Sequence, residues 1–324
     1  MSDVLCLRPE ADFARVDALP RKSIDVAYRA SDGADVPQLV RAAKALVIPA
    51  VGPKLAPALF EGTSLKLVQV TGAGLDRLDK DALIKAGIPV CNVPGGSNSA
   101  VAEYAVAAAS MLLRRFGGAD AEIKRGNYAP IRARLIADNL AGIEGLLVGV
   151  IGLGVIGAAV AHAFAKAGCQ ICYFDPAPQA AEAAKSVGAQ SMPLDELLRS
   201  ADVVTVHVPL LGETTGLIGA RELGLMKKGA VLIQASRGGI VDEQALADNL
   251  RSGQLGGAAV DVYSTEPPDP DNPLLRLEGE AAHRLLLTPH IAGVTRQSAA
   301  FLFRSAWQNV ERVLSGEAPV NRAY

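Results

Sequence analysis

One segment constrains the fold of this chain more than any other: Gly152-Leu153-Gly154-Val155-Ile156-Gly157. An apolar run, 147–151, leads into it, and a stretch rich in Ala and Val follows. A buried strand that ends in Gly-x-Gly-x-x-Gly and turns into a helix opens a βαβ unit. A second apolar run, 170–174, closes that unit and ends at Asp175. Residues 146–165 carry no charged side chain, a span long enough for a membrane helix. Gly149, Gly152, Gly154 and Gly157 crowd its first half, however, and each costs a helix about 1 kcal/mol relative to Ala. A strand, a tight turn and a buried helix account for the same residues.

The alternation continues on both sides. Strands are expected at 4–7, 24–28, 45–48, 66–70 and 89–91, with helices at 36–44 and 80–86. A long Ala-rich helix is expected over about 100–115, then a polar, irregular stretch at 117–144. A second series of strands follows at 147–151, 170–174, 202–207, 230–234, 258–262 and 285–287, and a helix over about 295–315 closes the chain. Strands alternating with helices specify an α/β chain with parallel sheets. At 324 residues, half of them hydrophobic, two domains are expected. Only 4% of residues are aromatic, so the core must be built from Ala, Val, Leu and Ile, as in parallel sheets covered on both faces. Pro267, Pro268, Pro270 and Pro273 fix a rigid, non-helical connection.

The net charge is −2 with no long run of one sign, which argues against nucleic acid or an anionic membrane as the main partner. The first ten residues contain no apolar signal core. Cys169 and Cys172 form a Cys-x-x-Cys, but on a strand side chains three apart point to opposite faces, which disfavours a disulfide. No second cysteine pair or nearby His completes a zinc site, so no metal is expected. Reduced, buried thiols suit a cytoplasmic protein.

The glycine loop carries the first chemistry. Gly152 permits the turn, Gly154 lets a diphosphate approach the backbone, and Gly157 lets helix and strand pack closely. Free N–H groups and the helix dipole then favour the anion. Asp175 can accept hydrogen bonds from the adenosine ribose hydroxyls and would repel a 2′-phosphate. Pro176, Ala177 and Pro178 supply no cation to offset that, so NAD is expected over NADP.

Reducing a ketone by hydride needs a proton donor with a pKa near 7, and His is the usual choice. His162 reads as structural within a helix, and His283 as solvated in a mixed loop. His207 ends a strand before Val208-Pro209, where a backbone role and a side-chain role are equally open. His290 lies just past the end of the buried strand 285–287, where ligands bind in open α/β sheets. Arg237 and Glu266 hold equivalent places after strands 230–234 and 258–262. Arg can grip a carboxylate through its planar fork, and Glu beside His stabilises imidazolium. Singly, each is an ordinary surface or loop residue. Their conjunction at one sheet edge makes them a candidate site.

The chain resembles the D-isomer-specific 2-hydroxyacid dehydrogenases. The resemblance rests on the glycine loop with Asp175, the segment Ala235-Ser236-Arg237-Gly238-Gly239, the run from Asp261 through Glu266 to Pro267-Pro268, and Thr288-Pro289-His290-Ile291-Ala292-Gly293. It also covers His207-Val208-Pro209-Leu210, Thr214-Thr215-Gly216 and Val101-Ala102-Glu103, and spans roughly 45–321. It implies that Arg237 binds the substrate carboxylate, that His290 is the acid/base, and that Glu266 pairs with His290. It implies cofactor contacts at Gly152, Gly154, Val155, Ile156, Gly157, Asp175, His207, Val208, Pro209, Thr214, Ala235, Ser236, Arg237, Asp261, His290 and Gly293. The loop Thr71-Gly72-Ala73-Gly74 would hold the acid with its N–H groups, and Asn98 would face the substrate. The implied fold is two doubly wound domains: a Rossmann cofactor domain, 99–290, inserted into a flavodoxin-like substrate domain, 1–98 plus 291–324. Cleft closure and a homodimer formed through the long helix from Ala100 and residues 117–144 are implied as well.

The sequence departs from the family at several places. Gln234 replaces a common Asn, Leu146 a common Lys, and Tyr128 lies near the place of a common Trp. The regulatory extension of long phosphoglycerate dehydrogenases is not expected, and Ala292-Gly293-Val294-Thr295 is unlike the phosphoglycerate pattern. Hydroxypyruvate, glyoxylate and 3-phosphoglycerate stand as substrate classes. Arg132 and Arg134 raise a further option, a second anionic group on the substrate, against the plainer reading of a solvated loop. A NADH-sensing, corepressor-like binding protein on the same fold is the alternative function. An alanine dehydrogenase is disfavoured by the order Arg, Glu, His.

Overall fold

A computed structural model describes residues 2–324, which divide into two compact units, 2–97 with 294–324 and 98–293. The first unit runs β1 (Val4–Cys6), α1 (Glu10–Ala14), β2 (Val26–Tyr28), α2 (Val36–Ala42), β3 (Ala45–Ile48), β4 (Leu67–Val70), α3 (Lys80–Lys85) and β5 (Val90–Cys91). All five strands are parallel in the order β2-β1-β3-β4-β5, the flavodoxin-like winding. Strand residues alternate between two buried layers. Leu5, Leu46, Ile48 and Val68 pack with Val36, Val40 and Leu83 on one face. Val4, Cys6, Val47 and Leu67 pack with Phe13, Phe303 and Trp307 on the other, so the final helix, Arg296–Leu314, seals that side. Thr295 starts the helix by accepting a hydrogen bond from the Ser298 N–H.

The second unit opens with α4 (Asn98–Leu113), α5 (Phe116–Lys124) and α6 (Tyr128–Ala137). It continues through β6 (Leu147–Ile151), α7 (Val155–Lys166), β7 (Gln170–Phe174), α8 (Ala180–Val187), β8 (Gln190–Ser191), α9 (Leu194–Ser200) and β9 (Val203–Val206). Then come α10 (Ala220–Leu225), β10 (Val231–Gln234), α11 (Glu243–Ser252), β11 (Gly257–Val260), α12 (Gly279–His283) and β12 (Leu285–Leu287). Its seven parallel strands lie in the order β12-β11-β10-β9-β6-β7-β8, the Rossmann winding with one strand added. Val148, Val150, Val231 and Ile233 face α4 and α7; Ile151, Val204, Leu232 and Val260 face α9 to α11. The order reverses between β6 and β9, and ligands bind beyond the strand ends at such a switch.

Three expectations need correction. Residues 117–144 are not irregular but largely helical. Gly117-Gly118 and Gly126-Asn127 both lie in this stretch, and only the second pair separates the helices. Gly118 is buried facing His283, where a side chain would meet the imidazole. His283 itself ends α12 instead of lying in a loop. The short strand β8 had no apolar signal, since both its residues are exposed at the sheet edge. Among the described residues no helix is long and apolar enough to cross a membrane.

Candidate active site

Gly152 follows β6 with φ +89°, a conformation that favours glycine. A Cβ there would lie 2.8 Å from the His207 carbonyl. At Gly157 a Cβ would strike the Gly152 carbonyl. Gly154 differs: a Cβ would meet nothing within 4 Å. Packing therefore compels the outer glycines, whereas the middle one leaves open space at the start of α7, where Val155 is 65% exposed. One Asp175 oxygen accepts the Leu153 N–H at 2.7 Å and the other accepts the Ala177 N–H at 2.8 Å. This ties the glycine loop to the end of β7. An open, glycine-lined helix start beside a carboxylate fits a dinucleotide.

His207 stands across the switch point, just past β9. Its Nε2 lies 2.7 Å from Thr205 Oγ1, while Nδ1 is shut off from solvent with no partner. Burial pushes the imidazole down from 6.5 to about 4, so it is neutral at physiological pH. Val208 and Pro209 lead into a loop knotted by Thr214, whose hydroxyl donates to the Pro209 carbonyl and accepts the Leu211 N–H.

Arg237 sits on a turn after β10. Gln234 fixes that turn: its amide nitrogen donates to the Arg237 carbonyl at 2.9 Å, and its oxygen accepts the Ser236 hydroxyl at 2.8 Å. The substitution for Asn thus keeps an amide that braces the segment Ala235–Arg237. Gly238 must lack a side chain, because a Cβ would collide with the Tyr263 carbonyl past β11.

Asp261, also past β11, is 1% exposed and has no cation beside it among the described residues. Its oxygens accept the Ile291 and Ala292 N–H groups at 2.8 Å and the Thr288 hydroxyl at 2.6 Å, and its carbonyl accepts the His290 N–H at 2.8 Å. The loop it grips holds His290 at φ +55°, a left-handed conformation that costs a non-glycine residue of order 1–3 kcal/mol. His290 Nδ1 is 2.8 Å from Glu266 Oε2, and the other Glu266 oxygen accepts the Tyr263 N–H at 3.1 Å. A carboxylate only accepts, so Nδ1 carries a proton and Nε2 is the group that can gain or lose one. The pair is about a quarter exposed, at 24% and 28%.

Arg237, Asp261, Glu266, His290 and Gly293 thus follow neighbouring strands β10, β11 and β12 at one sheet edge. Asn98 begins α4, its buried Oδ1 unpartnered. Thr71-Gly72-Ala73-Gly74 follows β4 in the first unit. There the Thr71 hydroxyl bonds the Ile48 carbonyl at 3.2 Å, and Asn92 donates to the Ala73 carbonyl at 2.7 Å.

Residues 106–292 match the profile described as D-isomer specific 2-hydroxyacid dehydrogenase, NAD binding domain. The chain belongs to this family. It is 40% identical to a D-3-phosphoglycerate dehydrogenase of Archaeoglobus fulgidus over 72% of its own length and 42% of that protein's. It therefore spans less than half of that relative. It is 34% identical to a glyoxylate reductase of Aeropyrum pernix, over 81% of this chain and 77% of that one. Among solved structures, a D-lactate dehydrogenase from Treponema pallidum superposes with a TM-score of 0.80 at 28% identity, covering 99% of both chains.

Several side chains have partners that the linear sequence does not show. Asp261 lies beneath the site, with both oxygens bound to the His290 loop. Arg134 pairs with Glu280 at 2.8 Å and with Asp138 at 3.8 Å. His162 contacts Ser186 Oγ at 3.2 Å. The sequence reading missed the bracing done by Gln234, Tyr263, Thr288 and Glu243. Glu243 accepts the Ser264 N–H and the Asn272 amide, pinning the proline-rich connection. The available signal was an acid ending the apolar run 257–260 (Asp261), since a buried carboxylate must recruit donors.

Neutral His207 has a consequence for stability. The unfolded chain takes up a proton near pH 6.5 that the folded chain refuses until about 4. Stability therefore falls as pH drops through that window. The thermal midpoint of His207→Gln is expected to fall less steeply between those limits than the parent's. Equal slopes would contradict a buried, neutral imidazole.

Proposed function

We propose that this chain transfers a hydride between NAD and a D-2-hydroxy acid or its 2-oxo counterpart, of the hydroxypyruvate, glyoxylate or 3-phosphoglycerate class. The Glu266–His290 pair at the sheet edge that carries Arg237 supports this reading best. Gly152 to Gly157 would hold the diphosphate, with Asp175 on the ribose. The nicotinamide, when bound, supplies or accepts the hydride. Arg237 binds the acid's carboxylate and polarises the neighbouring carbonyl. His290 delivers the proton from Nε2 to the carbonyl oxygen in reduction and withdraws it in oxidation. Glu266 holds the ring by Nδ1 and stabilises imidazolium while the proton is in place. The loop Thr71–Gly74 is the proposed backbone cradle for the acid. Free, buried cysteines fit the reducing cytoplasm.

Following NADH absorbance against a panel of 2-oxo acids tests this. At least one acid is expected to turn over, with NADH preferred to NADPH. His290→Ala is expected to lower kcat by about 10²–10⁴-fold while NADH still binds. An unchanged kcat in the variant would remove His290 from the reaction.

A homodimer through α5 and α6 is part of the same reading. Phe116, Ile123, Tyr128 and Ile136 are each roughly half exposed or more (47%, 47%, 64% and 62%) and line a groove of about 650 Å³. Apolar surface of this kind suits a second copy. Sedimentation is expected to show a dimer for the parent and monomer for Ile136→Asp. A monomeric parent would refute it.

A further inference from the structure

Hydrogen-bond chemistry assigns a direction to a chain of groups beneath the His290 loop. Thr288 Oγ1 lies 2.6 Å from Asp261 Oδ1 and 2.8 Å from the Tyr104 phenol. A carboxylate can only accept, so the single Thr288 hydroxyl proton goes to Asp261. Thr288 must then accept from Tyr104. The phenol is a dependable donor, because burial pushes its pKa up to about 12. The Thr288 carbonyl is held too, by the Tyr263 hydroxyl at 3.0 Å. Tyr104 belongs to α4, which packs against α7 on the face of the sheet lined by Val148 and Val150.

We propose that Tyr104 and Thr288 are positioning residues for the proton-transfer step: through Asp261 they hold His290 in its left-handed conformation with Nδ1 on Glu266. The reason is the count of donors. The buried Asp261 carboxylate has three: the Thr288 hydroxyl and two N–H groups of the loop. Removing the hydroxyl leaves an anion bound by the loop alone, free to draw that loop toward itself. Among the described residues no hydrogen bond joins either side chain to the imidazole; from His290 the Thr288 carbonyl accepts only the backbone N–H, at 3.1 Å. The proposal rests on the acid/base reading of His290, so its test separates the two.

Thr288→Val removes the hydroxyl at nearly constant shape, Thr288→Ser restores it, and Tyr104→Phe removes the next donor. In ligand-free protein labelled with ¹⁵N-histidine, the Nδ1 proton of His290 bound to Glu266 is expected as a slowly exchanging signal. It is expected to be lost in Thr288→Val, weakened in Tyr104→Phe and kept in Thr288→Ser. With an accepted 2-oxo acid, kcat is expected to fall about 10-fold or more in Thr288→Val, as small misplacements of a reacting group do, with KM for NADH little changed. Thr288→Ser should recover it. Should Thr288→Val fail to fold, the same readouts on Tyr104→Phe decide. A parent-like Nδ1 signal in the folded variants would overturn the proposal, even if their thermal midpoints drop. The signal needs no turnover, so absence of activity in the parent would refute the acid/base reading and leave this test intact.

Discussion

Much of the candidate site hangs on one buried carboxylate. Asp261 gives up water at the end of an apolar strand and, among the described residues, has no ion pair in exchange. A group in that position is tolerable only when hydrogen-bond donors surround it. The donors come from Thr288, Ile291 and Ala292, so satisfying Asp261 and shaping the loop around His290 are one event. The loop's left-handed residue is unfavourable alone, and the carboxylate offsets it. In this arrangement the imidazole Nδ1 lies 2.8 Å from Glu266 Oε2.

The remaining parts follow from the winding of the sheet. Parallel strands deliver successive loops to the same edge. Arg237, Glu266 and His290 follow three neighbouring strands and so emerge at one edge, where Glu266 and His290 meet. The glycine loop and His207 come from the pair of strands where the order reverses. There the constraint is steric: the backbones at Gly152 and His207 approach so closely that a side chain on the glycine would collide with the carbonyl.

Much of this was legible in the sequence. Long apolar runs and the glycine pattern located the strands of the second unit, and β6, β7 and β12 fall on the expected residues. Asp202 and His207 flank β9 (Val203–Val206) instead of lying within it, although the Asp202 N–H still donates to the Leu147 carbonyl and the His207 N–H to the Ile151 carbonyl. Helices α5 and α6 were hidden, since they bury few residues and carry glycines that usually signal a break. The link between Tyr104 and Thr288 could not be read, because nothing in the linear pattern shows that residues 184 positions apart share a hydrogen bond. The ion pair of Arg134 was hidden for the same reason, as its partner Glu280 lies on a distant helix.

The most direct test of the central claim is a crystal structure with NADH and oxamate, a 2-oxo acid analogue that resists reduction. The account predicts His290 Nε2 about 2.6–3.2 Å from the analogue's carbonyl oxygen, the Arg237 guanidinium on its carboxylate, and Nδ1 still on Glu266. An analogue bound with Nε2 turned away, or with the Glu266 bond broken, would contradict it.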